Sequence, residues 1–369
     1  MQTVIVTDAK YRSAIAAVRA LGRAGYKVVA VQTRGDCSAE PPAFVSRYVF
    51  EARMMDCSVS DERYTDELAA LIREYGRPIL FCVGAATLAA VSEKRDLFAE
   101  ICDFLISPPD VLLALNDKEA VHRRAQELSL PVPKEYRAGE AISFPVVVKP
   151  HCGEKFGLKA KDRYAFAENE EEYERVLAAM SRYDPEPIVQ EKISGEGGGA
   201  SLLLDRDGHL VCAVCHRRIR EYPITGGPST CCESMYDEGR IDAAYRLLAS
   251  FGFTGMAMVE FKGGRILEVN PRIWGSFPLT DCAGSPFAVR YVQAALGEAP
   301  QYDPHDCTVG VRMRFLINDA AATLQYLLHG KLRAAFGGIA DVFRAKEALR
   351  SRDDAAPFRR YMRNTLLRK

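Results

Sequence analysis

Residues 259–272 decide the fold, because they combine two apolar runs, a pair of glycines and several charged or amide side chains. They read Val259-Glu260-Phe261-Lys262-Gly263-Gly264-Arg265-Ile266-Leu267-Glu268-Val269-Asn270-Pro271-Arg272. Apolar runs flanking a Gly-Gly pair predict a β-hairpin. Side chains alternate along a strand, so Glu268, Asn270 and Arg272 are expected on one face. Carboxylate and amide oxygens suit Mg²⁺, and arginine suits a phosphate or developing oxyanion. The simpler alternative is an exposed strand with a polar face.

The turn decides whether Glu260 joins this group. With a two-residue Gly263-Gly264 loop and regular pairing, Glu260 would lie opposite Leu267 and point away from Glu268. A three-residue loop would place the two glutamates directly opposite each other. If Glu260, Glu268 and Asn270 serve one metal site, we expect the three-residue loop with a left-handed glycine, or a β-bulge.

Composition sets broad limits on the fold and on the partners. The chain has 369 residues, of which 48% are hydrophobic, with 49 basic and 49 acidic groups. That length predicts two or three domains, and the balanced charge favours no nucleic-acid partner. We expect no membrane span, because no apolar run reaches about 18 residues. The eleven cysteines are irregularly spaced, which favours free thiols and a cytoplasmic protein.

Residues 1–115 alternate strand and helix patterns and predict a small, doubly wound parallel-sheet domain. Its first strands are expected near Thr3–Val6 and Lys27–Gln32, and its last at Phe104–Ser107. The first turn, Thr7–Lys10, lacks the glycine fingerprint of dinucleotide-binding domains, so that function is not supported.

Four lysines stand on separate predicted elements upstream of the hairpin: Lys118, Lys149, Lys155 and Lys159. Lys149 ends the apolar run 146–148, where a partly buried cation needs an anionic partner. A nucleotide phosphate would supply that partner, and so would a structural carboxylate. For Lys155 and Lys159 a solvated surface position is an equal alternative.

The order of these motifs resembles the ATP-grasp superfamily, with its carboxylate–amine ligase and carbamoyl-phosphate-synthase-like branches. A lysine at a helix start is followed by Val147-Val148-Lys149-Pro150, by the hinge Gln190-Glu191-Lys192-Ile193 and by the Glu260…Arg272 hairpin. Each motif alone is weak, but the set in this order is specific. The resemblance covers about residues 116–296 and, in pattern only, residues 1–115.

The resemblance implies an ATP site on these residues. Lys118 and Lys149 would contact the α- and β-phosphates, and the loop carrying Lys155 would close over them. The hinge residues Gln190, Glu191, Lys192 and Ile193 would meet the adenine edge, and Glu196 is the available ribose-binding carboxylate.

The same resemblance implies roles for the hairpin. Glu260, Glu268 and Asn270 would bind Mg²⁺, with Mn²⁺ as a substitute, and Arg272 would stabilise the transferring group. Arginines at 217, 218 and 220 could clamp a triphosphate or a carboxylate substrate, or form a solvated face. Of these Arg218 is the strongest candidate.

We therefore expect an α/β protein with an α+β clamp, in three regions. Residues 1–115 form the N-terminal α/β domain, 116–300 an ATP-grasp domain with lobes of about 116–192 and 193–300, and 301–369 a helical, basic region. The terminal helix is expected to be solvated, or to dock on a partner, an acidic carrier or an anionic surface.

The expected activity is an ATP- and Mg²⁺-dependent ligase that joins a small-molecule carboxylate to an amine through an acyl phosphate. The alternatives are a bicarbonate-using carboxylase or carbamoyl-phosphate-type enzyme, and a nucleotide-binding regulatory protein. A homodimer is compatible with the sequence.

Overall fold

A computed structural model describes most of the chain, namely residues 1–137, 139–151, 158, 164–224 and 226–366. Two of the candidate phosphate-binding lysines, Lys155 and Lys159, lie outside the described residues.

The N-terminal region is built on a four-stranded parallel sheet flanked by helices. Its strands are β1 (Thr3–Val6), β2 (Lys27–Thr33), β3 (Val49–Met55) and β4 (Ile79–Phe81). Its helices are α1 (Arg12–Arg23), α2 (Tyr64–Arg73), α3 (Ala85–Glu93) and α4 (Arg95–Ile101). The strand order β3-β2-β1-β4 confirms the predicted doubly wound sheet.

The prediction of a strand at Phe104–Ser107 is wrong. The only sheet contact of this part of the chain is a single parallel bridge between Asp103 and Ile79. Instead, the Leu105 backbone N–H donates to the Tyr291 hydroxyl (3.1 Å) and the Ser107 hydroxyl to the carbonyl of Thr254 (2.9 Å). These hydrogen bonds tie the segment to α10 and to the start of β11 instead of to the parallel sheet.

The first lobe of the clamp holds a small antiparallel sheet. Helices α5 (Pro109–Asn116) and α6 (Lys118–Glu127) lead into it. The sheet consists of β5 (Val146–Lys149), β6 (Ala165–Ala167) and β7 (Ile188–Glu191), in the order β6-β5-β7, with α7 (Glu170–Met180) packed against it.

The second lobe is a seven-stranded sheet. Its strands are β8 (Gly197–Leu204), β9 (Leu210–Glu221), β10 (Ser229–Met235), β11 (Gly255–Lys262), β12 (Arg265–Asn270), β13 (Arg312–Arg314) and β14 (Lys346–Glu347), in the order β12-β11-β8-β9-β10-β13-β14. Its helices are α8 (Glu238–Ala249), α9 (Pro278–Cys282) and α10 (Phe287–Ala295). Two apolar clusters join this sheet to the N-terminal domain.

The C-terminal region is helical, as predicted, with α11 (Leu316–Leu328), α12 (Leu332–Arg344) and α13 (Ala356–Leu366). It also supplies β13 and β14 to the large sheet, which the sequence did not indicate. The boundaries predicted at residues 115 and 300 stay predictions.

The terminal helix is not free in solvent, contrary to the favoured expectation. Phe358 and Tyr361 of α13 pack against the core shared with the N-terminal domain. Just before this helix, Asp354 forms a buried ion pair with Arg19 of α1 at 2.9 Å. Leaving either charge buried without its partner is costly, so this pair fixes the end of the chain on the N-terminal domain.

None of the helices in the described residues is long and apolar enough to cross a membrane.

Candidate active site

The β11–β12 hairpin brings Glu260 and Glu268 to one face by means of a β-bulge. Lys262 pairs with Arg265, so the loop contains only Gly263 and Gly264, both with positive φ. The register then shifts, and Glu260 pairs with Glu268 while Leu267 has no partner across the strands. The bulge was one of the two predicted solutions, and it is the one that occurs.

Gly263 is required at the hairpin tip because the tip touches the hinge. A Cβ atom at this position would lie 2.4 Å from the carbonyl oxygen of Ser194. The Gly263 backbone N–H also donates to the carbonyl of Glu196 at 3.0 Å. The hairpin and the hinge are therefore held in one arrangement.

Two lysines from the first lobe face these carboxylates. Lys118 opens α6, whose N-terminus is capped by the side chain of Asp117, and its Nζ atom lies 3.5 Å from Glu268 Oε2. Lys149 ends β5; burial and the neighbouring Lys118 lower its pKa to about 8. Although burial opposes the charged form of Glu268, Lys118 and Lys149 lower the pKa of this carboxyl.

Glu260 is paired with an arginine of the large sheet. Burial and the proximity of Glu268 raise the pKa of Glu260, although Arg218 works in the opposite direction. Arg218 donates from Nη2 to Glu260 Oε1 (2.7 Å) and from Nη1 to Glu221 Oε2 (3.0 Å). Its buried Nε has no partner among the described residues.

The three arginines of β9 serve different purposes. Arg217 binds Glu233 of β10. Arg220 is buried and forms a two-pronged contact with Asp319, at 2.8 and 2.9 Å. Of the three, Arg218 alone pairs with a carboxylate of the hairpin. The geometry therefore favours the candidate selected from the sequence and assigns the other two to ion pairs within the protein.

A buried polar network, which the sequence analysis missed, supports the site from behind. His122 of α6 contacts Glu135 Oε1 through Nδ1 at 2.6 Å and the carbonyl of the bulged Leu267 through Nε2 at 3.1 Å. The Gln190 side chain donates to Glu135 Oε1 at 2.7 Å. The network thus joins the helix of Lys118, the bulge and the hinge. One signal was available: His122 lies four residues after Lys118, one helical turn away.

The hinge residues lie where predicted, although several of their groups are already engaged. Glu191 Oε1 accepts from the backbone N–H of Lys134 (2.9 Å) and lies 3.2 Å from Arg265 Nε. Lys192 pairs with Glu168. Ile193 lines the cleft without a charge.

Glu196, the ribose candidate, lies 3.5 Å from Arg240 and 3.7 Å from Arg217. On the hairpin itself, Arg272 Nη2 donates to Asn270 Oδ1 at 3.1 Å.

All of these candidates line a single cleft of about 630 Å³ between the two sheets. They are Lys118, Lys149, Gln190, Glu191, Lys192, Ile193, Glu196, Arg218, Glu260, Glu268, Asn270 and Arg272. Lys155 lies outside the described residues. The cleft wall also includes Tyr164, Phe166 and Tyr326, which the sequence analysis missed. Tyr164 and Phe166 are two residues apart, a strand-like spacing, whereas nothing in the sequence connects Tyr326 of α11 to the site.

The donor set fits a nucleotide and a divalent metal ion. Two facing carboxylates repel each other unless a cation lies between or beside them, and burial together with this repulsion raises the pKa of Glu260. Carboxylate and carboxamide oxygens are ligands that Mg²⁺ accepts. Lys118 and Lys149 add positive charge where phosphates need it.

Comparison with protein families and known structures gives consistent results. Residues 115–276 match the family described as ATP-grasp domain. A search of curated protein sequences found no match. Solved structures that are similar include the biotin carboxylase domain of Hydrogenobacter thermophilus 2-oxoglutarate carboxylase, a dimer in complex with MgADP, ADP and bicarbonate. It is 16% identical with a TM-score of 0.65, and the match covers 84% of this chain and 73% of that chain.

Two further structures have the same fold. Biotin carboxylase from Campylobacter jejuni is 16% identical with a TM-score of 0.61, covering 84% of this chain and 74% of that chain. L-amino acid ligase from Bacillus licheniformis is 16% identical with a TM-score of 0.58, and the match covers 81% of this chain and 75% of that chain. The motifs and the two-lobed cleft agree with this match, and residues 115–276 form an ATP-grasp domain.

Proposed function

We propose that this protein is an ATP- and Mg²⁺-dependent ligase that activates a substrate carboxylate as an acyl phosphate and transfers the acyl group to an amine. The observation that carries the proposal is the pairing of Glu260 with Glu268 in a cleft that also holds Lys118 and Lys149. That combination of acids and cations suits a metal–polyphosphate complex better than either ligand alone.

In this proposal the nucleotide lies between the lobes. The hinge from Gln190 to Ile193 borders the adenine, and Lys118 and Lys149 bind phosphate oxygens. An anion beside Lys149 would stabilise its charged form, because burial and Lys118 lower the pKa of this lysine to about 8 and a phosphate would raise it again. Mg²⁺, held by Glu260, Glu268 and Asn270, would neutralise charge on the phosphates.

In this proposal two arginines would act on the transferring group. Arg272 shares the hairpin end with Asn270, to which it donates a hydrogen bond of 3.1 Å. Arg218 has a buried Nε–H with no acceptor among the described residues. A guanidinium so placed can bind the substrate carboxylate or the phosphoryl oxygens. The amine then attacks the acyl phosphate, and no nucleophile on the protein is required.

A second candidate is a bicarbonate-using activity of the carboxylase or carbamoyl-phosphate type. It is favoured by the fold shared with biotin carboxylase domains, one of which is bound to MgADP and bicarbonate. L-amino acid ligase shares the fold as well, with a TM-score of 0.58, and supports the amide-forming candidate. The third candidate function is that of a regulatory protein that binds a nucleotide without turnover.

A substrate panel separates these functions. Purified protein with ATP and Mg²⁺ is offered single amino acids, pairs of amino acids, and bicarbonate with and without an amine, and ADP release is measured. We expect ADP release that depends on a carboxylate and an amine together, with a product mass equal to their sum less one water. Bicarbonate-dependent ADP release with a carboxylated or carbamoylated product would favour the second candidate. Nucleotide binding without ADP release on any substrate would favour the third.

A further inference from the structure

The helical hairpin formed by α11 and α12 exposes an unusual number of large apolar side chains. Their exposed fractions range from 49% for Leu327 to 90% for Phe343. We call the following set the α11–α12 apolar face: Leu324, Leu327, Leu328, Leu332, Phe336, Ile339, Val342 and Phe343. Monomeric soluble proteins rarely expose a contiguous apolar patch larger than a few hundred Å².

The residues on this face have the spacing of a helix-packing seam. Along α12, Leu332, Phe336, Ile339 and Phe343 follow one another at intervals of four, three and four residues. This is the repeat that places apolar side chains in one stripe for packing against another helix. Along α11, Leu324 and Leu327 continue the stripe with an interval of three.

Apart from Tyr326, the buried residues of the two helices are small or charged, so most of the large apolar side chains point outward. Ala322 and Ala335 are buried in a cluster with Tyr326 and with Ile224, which follows β9. Gly338 allows α12 to approach α11 closely, since a Cβ atom there would lie 2.1 Å from the Thr323 hydroxyl oxygen. If α11 and α12 buried their larger side chains, their apolar stripes would face the rest of the protein and not the solvent. The outward orientation is therefore a feature that needs a partner.

The orientation is fixed by buried ion pairs. Arg220 of β9 donates to Asp319 of α11 (2.8 and 2.9 Å) and to Asp341 of α12 (2.8 Å). These groups are at most 2% exposed. Rotating either helix to hide its apolar stripe would leave a buried charge without its partner, which is strongly unfavourable. The face is consequently preformed.

We propose that the α11–α12 apolar face is the contact surface of a homodimer, in which the hairpins of two copies pack as four helices. If each fully exposed residue contributes roughly 150 Å², the lower end of the range for aromatic side chains, the eight residues present on the order of 700 Å², close to the about 800 Å² per partner of a stable interface. A second copy offers the same stripe at the same spacing, as a two-fold contact requires.

The charges near the face favour a second copy over an anionic surface. Arg333 and Arg344 are exposed to one side of the Leu332–Phe343 stripe and the exposed Lys331 precedes it, but the stripe itself carries no charge. An apolar seam of this kind makes association insensitive to salt, whereas binding of a basic patch to anionic lipid weakens as salt screens it.

Sedimentation equilibrium of the full chain tests the proposal. We expect the wild-type protein to be a dimer at micromolar concentration, with a Kd that changes little between 0.05 and 0.5 M NaCl. The double variant Phe336→Glu/Phe343→Glu should raise the Kd at least ~100-fold, because each site buries a large aromatic group. Leu113→Glu on α5, where the leucine is 71% exposed, is the matched control and should leave the Kd unchanged.

Three results would each overturn the homodimer proposal. A wild-type monomer at ~50 µM overturns the proposal, and so does a Phe336→Glu/Phe343→Glu variant that dimerises as tightly as Leu113→Glu. Flotation of the monomer with phosphatidylserine vesicles would identify a membrane surface as the occupant and would likewise overturn it. Both variants are checked by circular dichroism and thermal unfolding, and Phe336→Ser/Phe343→Ser repeats the test if the acidic variant does not fold.

Discussion

Glu260 and Glu268 are directly paired across the β11–β12 hairpin because Leu267 bulges out of the ladder. The carbonyl of Leu267 is held by His122 Nε2 at 3.1 Å. A helix from the first lobe therefore stabilises the irregularity that brings two acids of the second lobe together. The proposed metal site depends on this contact as much as on the acids themselves.

Removing a carboxylate from the pair should abolish turnover. We expect Glu268→Ala, and the isosteric Glu268→Gln, to lower Mg²⁺-dependent ADP release by at least ~10²-fold, as for loss of a group that stabilises transition-state charge. Glu127→Gln, an exposed change on α6, is the control and should keep full activity. Unchanged ADP release by a folded Glu268→Gln would exclude Glu268 as a metal ligand in catalysis.

The network behind the site should behave as one unit. We expect His122→Ala and Gln190→Ala each to lower the free energy of unfolding by about 1–3 kcal/mol, because each leaves buried polar partners unsatisfied. A double-mutant cycle measured by urea unfolding should show a coupling of about 0.5–3 kcal/mol between them. Additive effects would mean that the two side chains are independent.

The two glycines of the hairpin tip provide a matched pair. Both have positive φ, but a Cβ at Gly264 would meet open space, whereas one at Gly263 would lie 2.4 Å from the Ser194 carbonyl oxygen. Gly264→Ala should therefore cost only the backbone strain, about 1–2 kcal/mol. Gly263→Ala should cost more and should also raise the KM for ATP, because the clash displaces the hinge. Equal unfolding free energies for the two variants would argue against a tight hinge–hairpin contact.

The burial of His216 predicts that the free energy of unfolding decreases as the pH falls. Burial, together with Arg218 and Arg240, lowers the pKa of His216 from its usual 6.5 to about 3. Between pH 6.5 and 3 the unfolded chain binds a proton at His216, whereas the folded chain does not. The contribution of His216 to the free energy of unfolding is therefore complete above pH 6.5 and declines as the pH falls toward 3. Compared with His216→Gln, the wild type should lose up to about 1.4 kcal/mol more per pH unit across this window.

Urea unfolding of both proteins at pH 7, 6, 5 and 4.5 measures this difference directly. The comparison removes the contributions of other titrating groups, which the two proteins share. Parallel pH profiles would show that His216 takes up its proton at the same pH in the folded and the unfolded protein, contrary to the expected effect of its burial.

The sequence by itself determined the element types of the clamp, the doubly wound N-terminal sheet and twelve residues that line one cleft. Local rules suffice for the strands, the hairpin face and Lys149, because strand alternation, glycine turns and buried cations act over a few residues. The hinge residues 190–193 and Glu196 were instead implied by the resemblance to the ATP-grasp superfamily. The bulge at Leu267 was also derivable as one of two solutions, from the requirement that Glu260 and Glu268 face the same way.

The tertiary structure decided what depends on contacts between distant residues. His122 meets Leu267 across 145 residues, Arg19 meets Asp354 across 335, and Tyr326 reaches the cleft from the C-terminal helices. The outward turn of α11 and α12 is of the same kind, since their amphipathic pattern fits either orientation and Arg220 selects one of them. Such contacts follow from the packing of whole elements, which no local pattern specifies.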